Sequence, residues 1–224
     1  VGLHAIYVPD VHPYKQRKVR ILNGSHTSLV PVAYLCGYDE VRQSLLDKRI
    51  FHFLEEEQKE EIVPTLTTKD AEKFREDVMD RFLNPYVHHK LMSIALNSLP
   101  KFKERDLPTM LDDYKAGRDP KHLCFAFASL IKFYEGYRVL DGKREEIALQ
   151  DNPEYIAFMA DAWKKYHEEE DVLELVKTVL GNKAIWGEDL TAHSKMVEEV
   201  RQSLALLLSS KSEMDALEEF LKHE

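Results

Sequence analysis

Three times in this chain an asparagine or aspartate stands directly before a proline at the head of a periodic run: Asn84-Pro85, Asp119-Pro120 and Asn152-Pro153. A side-chain oxygen at the N-cap, followed by a residue whose missing N–H is not needed in the first turn, marks a helix start. Apolar residues then recur at three- and four-residue steps, as in Val197, Val200, Leu204 and Leu207, and Gly117 and Gly181 stand where C-terminal caps belong. The periodicity predicts helices near 15–36, 39–63, 68–83, 85–97, 107–116, 120–135, 153–167, 170–180, 190–209 and 212–222. The expected fold class is all-α.

Only the opening departs from this pattern. Leu3 to Val8 alternates like a strand with no partner strand nearby, and the chain starts at Val1 rather than at a methionine. The expectation is a remnant strand and linker over 1–14, left from a longer polypeptide, and one helical domain over 15–224.

Composition removes several function classes. With 31 Lys and Arg against 40 Asp and Glu, the net charge of -9 repels a phosphate backbone, so no nucleic-acid partner is expected. No apolar stretch is long enough for a bilayer and no signal peptide is legible, so the expectation is a cytoplasmic protein without a membrane partner. The eight glycines form neither a dinucleotide fingerprint nor a P-loop. No two histidines lie four apart, and Cys36 and Cys124 make no zinc knuckle, so no metal site is expected. The run Glu55-Glu56-Glu57-Gln58-Lys59-Glu60-Glu61 reads as a solvated helix face, and the aromatic run around Phe125, Phe127 and Phe133 as core.

One segment resists such readings. Lys15 to His26 gathers Lys15, Arg17, Lys18, Arg20, Asn23 and His26 where a core-facing helix should be more apolar. At about 100° per residue, Asn23 and His26 project roughly 140° and 80° around from Lys18, so the three can share one broad face. A partly desolvated lysine beside two arginines is expected to have a lowered pKa and to exchange protons near neutrality. An amide can donate to a carbonyl oxygen that becomes an alkoxide, and a neutral imidazole can orient the substrate. By composition alone the same residues also read as a solvated basic patch, and Asn23-Gly24 as a type I′ turn.

At these residues the chain resembles the mannitol dehydrogenase family, the polyol-specific long-chain dehydrogenases, whose signature is a lysine, an asparagine five residues on and a histidine three further. Lys18, Asn23 and His26 match it, and Phe82-Leu83-Asn84-Pro85 and Pro100-Lys101-Phe102 resemble two later landmarks. The resemblance implies a metal-independent, NAD-dependent secondary-alcohol dehydrogenase. In it an N-terminal Rossmann domain, absent from this chain, holds NAD, while the helical C-terminal domain supplies Lys18 as acid/base, Asn23 as alkoxide stabiliser and His26 to bind or orient substrate. The strand at Leu3 to Val8 would then be the last strand of that partner domain.

The wording of Tyr7 to Tyr14, Ile94 to Phe102 and Ile185-Trp186-Gly187 resembles the branch that interconverts D-altronate and D-tagaturonate. The implied partner is thus a small hexuronate or aldonate, its carboxylate paired with Lys90, His89 or Lys101. Alternatives are the fructuronate and mannitol branches and, from another class, a non-catalytic helical interaction module.

Overall fold

The computed structural model describes residues 10–223; the strand expected over Leu3 to Val8 lies outside the described residues. The chain winds through α1 (His12–Arg17), a π-helical turn at Lys18–Gly24 and α2 (Ser25–Leu35) without a break. Then come α3 (Val41–Leu45), α4 (Lys48–Glu56), a second π-helical stretch at Glu57–Ile62 and α5 (Ala71–Phe82). The next helices are α6 (Leu91–Ile94), α7 (Ser98–Arg105), α8 (Leu107–Lys115) and α9 (Lys121–Phe133). After a hairpin of β1 (Tyr137–Leu140) and β2 (Lys143–Glu146), the chain ends in α10 (Pro153–Glu169), α11 (Val172–Leu180), α12 (Lys183–Trp186), α13 (Ser194–Ser209) and α14 (Glu213–Phe220). None of these helices is long and apolar enough to cross a membrane.

Helix α9 is the axis of the core. Every residue from His122 to Phe133 is buried, as expected of a helix apolar on all sides, and α2 and α13 pack along it. Phe102 and Trp186 close on Phe127, and Phe53 and Phe220 on Phe125, with ring centroids 4.7 to 6.5 Å apart. Trp163 and Trp186 are packing residues whose indole N–H groups donate to the carbonyls of Ile131 and Val179.

The helix starts divide instructively. Asn152 caps α10, its Oδ1 accepting from Glu154 N at 2.9 Å with Pro153 in the first turn. Asn84 caps no helix: its Oδ1 accepts from Tyr86 N at 2.9 Å in a turn, residues 84–90 run outside helix, and the helix expected over 85–97 shrinks to α6. The N-terminus of α9 is capped from afar, because the Glu61 carboxylate accepts from His122 N at 2.7 Å and Leu123 N at 2.9 Å.

Glu61 belongs to the run expected to be a solvated face, and that expectation fails. Glu57, Gln58 and Glu61 are buried, and they hold distant partners: Ser28 Oγ donates to Glu57 Oε1 at 2.6 Å, and Gln58 Nε2 donates to Ser25 Oγ at 2.8 Å. Buried polar groups persist where hydrogen bonds replace water. The hairpin, absent from the periodic reading, turns at Asp141-Gly142, both at positive φ, as a type I′ turn requires.

Candidate functional site

The π-helical turn carries two of the three motif residues. A π-helix hydrogen-bonds from i to i+5, the separation of Lys18 and Asn23, and such turns are rare and frequent at functional sites. The α-helical angles expected from the sequence are therefore replaced by a wider turn, and Asn23-Gly24 is helical rather than a hairpin.

Gly24 explains part of this geometry. Its φ of -62° suits any residue, but a Cβ there would stand 2.8 Å from Oδ1 of Asp106, itself buried at the α7–α8 junction. We expect Gly24→Ala to cost about 1–3 kcal/mol in a urea melt, since a short buried side chain has little room to move aside. An unchanged midpoint would show that Asp106 yields freely.

Lys18 is exposed and forms no ion pair among the described residues. Its neighbours are compensated: Arg17 pairs with Asp70 and lies over the Phe74 ring, and Arg20 pairs with Asp112 at 2.7 Å. Among the described residues, Lys18 is thus neither desolvated nor flanked by unpaired arginines at 17 and 20. The Asn23 side-chain amide has no hydrogen-bond partner among the described residues. The Asn23 backbone carbonyl accepts from Thr27 Oγ1 at 2.9 Å and from Arg105 Nη1 at 3.5 Å, and Arg105 Nη1 also donates to Thr27 Oγ1 at 3.1 Å.

One turn past Leu22, His26 lines a cavity of about 290 Å³ with Arg42, Arg81, Phe82, Asn84 and His89. Its ring stacks on Phe82 at 4.2 Å and meets His89 edge-on at 5.0 Å, and its buried Nε2 has no hydrogen-bond partner among the described residues. Burial first, then the charges of His89 and Arg105, push its pKa down to about 3. The imidazole therefore stays neutral, and its NMR signals are expected not to titrate between about pH 5 and pH 9. A midpoint near the ordinary 6.5 would contradict this.

Of the residues expected to meet a carboxylate, only His89 reaches this cavity. Lys90 is exposed, its backbone bridged to Glu40. Lys101 donates its ammonium to the Ile94 carbonyl at 2.8 Å, and burial, together with Arg105 one turn along α7, lowers its pKa. The sequence reading missed Arg105, whose place beside Asn23 depends on the packing of α7 against the π-helical turn. On α4, His52, Glu55 and Glu56 bring three potential ligand atoms within 4.8 Å of one another, a grouping not expected from the sequence. Those three lie outside the cavity's lining.

The chain is 43% identical over 214 residues to an altronate oxidoreductase of Yersinia enterocolitica, covering 94% of this chain and 44% of that protein. It is 39% identical over 201 residues to an altronate oxidoreductase of Bacillus subtilis, covering 89% and 39%. It thus spans less than half the length of these relatives. Among solved structures, the mannitol 2-dehydrogenase of Pseudomonas fluorescens, in ternary complex with NAD and D-mannitol, superposes with a TM-score of 0.84 at 20% identity, over 97% of this chain and 42% of that one. A D-sorbitol dehydrogenase superposes with a TM-score of 0.75 at 21% identity, over 94% and 41%. The profile of the mannitol dehydrogenase C-terminal domain matches residues 10–208, and the chain belongs to that family.

Proposed function

We propose that this chain is the substrate-binding, proton-transferring domain of an NAD-dependent oxidoreductase that interconverts D-altronate and D-tagaturonate. The observation that carries the proposal is the continuous helix through the π-helical turn. It carries Lys18, an Asn23 side-chain amide with no partner among the described residues, and a neutral His26 that lines the cavity. The names of relatives near 40% identity support the substrate pair.

The described residues offer no cradle for a dinucleotide: their one sheet is a two-stranded antiparallel hairpin, and no glycine-rich turn heads a helix. We therefore place NAD on a Rossmann domain within the additional length of the relatives. When bound, NAD exchanges a hydride with the substrate's reacting carbon. The residues of this chain handle the oxygen. Lys18 Nζ gives a proton to the forming alkoxide in reduction and takes one from the hydroxyl in oxidation. The Asn23 amide donates to that oxygen while it carries charge, and because none of the described residues occupies the amide it needs no rearrangement to do so. His26, held by Phe82, offers its Nε2 to a substrate hydroxyl and adds no charge.

A co-purified or co-expressed full-length enzyme tests this. Exchange of Asn23 for Ala is expected to lower kcat about 100-fold or more while KM for NADH stays unchanged; equal activity would discard the assigned role.

A further inference from the structure

Among the described residues, every arginine except Arg42, Arg81 and Arg105 forms an ion pair with an aspartate or glutamate. In a protein of net charge -9, carboxylates are not scarce, and the exceptions share one location. Arg42 and Arg81 line the cavity beside His26, and Arg105 touches Asn23 and Thr27, its charge felt at His26.

Arg105 is the most demanding of the three. Arg81 is exposed, and Arg42 Nε donates to the Leu83 carbonyl at 3.1 Å. Arg105 is half-buried, and its neighbour Asp106 forms no ion pair with it. Burial and the nearby Glu57 push the Asp106 carboxyl well above the usual carboxylate range, against the pull of Arg105. Nη1 is committed to Thr27 and Asn23, while the Nε and Nη2 edge has no partner among the described residues and is not sealed off from solvent. A desolvated charge without a counter-charge is a standing cost that an anionic ligand would remove. The free edge of a guanidinium matches the two oxygens of a carboxylate.

We infer that Arg105 is the residue that recognises the carboxylate of an acidic sugar, taking it on its Nε/Nη2 edge beside Asn23, with Arg42 and Arg81 holding the cavity positive. The inference rests on the proposed function and replaces Lys90 and Lys101 as the carboxylate's partner. Lys101 remains a second positive charge one turn away on α7. The reacting oxygen at Lys18 and Asn23 and the acid group at Arg105 are then read by different side chains, so the two can be separated by mutation.

The test uses the full-length enzyme as wild type, Arg105→Gln and Arg105→Lys, with thermal unfolding as a check on folding. It measures KM and kcat for tagaturonate, and dissociation constants for altronate and for altritol, the neutral alcohol with a hydroxymethyl group in place of the carboxylate. Arg105→Gln is expected to raise the tagaturonate KM and the altronate dissociation constant by about 10- to 100-fold, with altritol changed by no more than about two-fold. Arg105→Lys, which keeps the charge and loses the fork, should fall between. Parallel weakening of altronate and altritol would make Arg105 only a brace for Asn23 and Thr27 and overturn the inference, as would unchanged altronate binding. A wild type that binds altritol as tightly as altronate overturns it without any variant. A wild type with no tagaturonate turnover overturns the proposed function, and the inference with it, before any variant is made.

Discussion

Replacing Lys18 by alanine in the full-length enzyme is expected to lower turnover by about 10²- to 10⁴-fold, the usual worth of a positioned acid/base group. The fold should be indifferent to the change, because Lys18 is exposed and holds no ion pair among the described residues. Asn23 and His26 would remain in place, since the π-helical turn is held by Thr27, Arg105 and the close approach of Gly24 to Asp106 rather than by the lysine. NADH affinity should change little, because the cofactor rests on another domain in the proposed arrangement. Lys18→Arg should be nearly as inactive: a guanidinium keeps the charge but does not give up its proton. Steady-state kinetics with separate measurement of NADH binding checks the turnover of both variants and the NADH affinity, and near-normal turnover of Lys18→Ala would remove the lysine from the chemistry.

The second large effect concerns stability. Glu57 is fully buried beneath α2, and burial, opposed by the Ser28 hydrogen bond and reinforced by Glu61, pushes its pKa up to about 8. The native state therefore keeps a proton that the unfolded chain releases near 4.5. Between these values the native state binds more protons, so stability is full below about pH 4.5 and falls as pH rises, levelling off above about pH 8. At about 1.4 kcal/mol per unit, the whole interval amounts to about 5 kcal/mol. Glu57→Gln imitates the protonated carboxyl and can still accept from Ser28. It should match the wild type at pH 5 and exceed it by about 4 kcal/mol at pH 8 in urea melts. Identical pH profiles would show that Glu57 is ionised in the native state.

The two Asx-Gly pairs show what the sequence could and could not reveal. Asn23-Gly24 and Asp141-Gly142 carry the same turn signal, yet the first is wound into a helix and the second makes the hairpin. Local chemistry is equal in both; the outcome differs because Gly24 packs against Asp106, more than eighty residues away in the chain. Helix existence was legible wherever the apolar period was long, as in α9, α10 and α13. It failed at 85–97, where the cap signal was real but the Asn84 side chain closed a turn instead. The acidic run at 55–61 was misread because charge suggests solvent, whereas its partners Ser25, Ser28 and the head of α9 are distant in sequence. In the proposed site, Lys18, Asn23 and His26 were singled out by their match to the family's motif, whereas composition alone also read them as a solvated basic patch. Arg105 was not, since nothing in its neighbourhood announces which arginines will lack a carboxylate.

The most direct test of the whole account is NADH oxidation by the full-length enzyme with tagaturonate, fructuronate and fructose, each with and without a chelator. The highest kcat/KM is expected on tagaturonate, with no effect of chelation. Preference for fructose, or no turnover of any of the three, would contradict it.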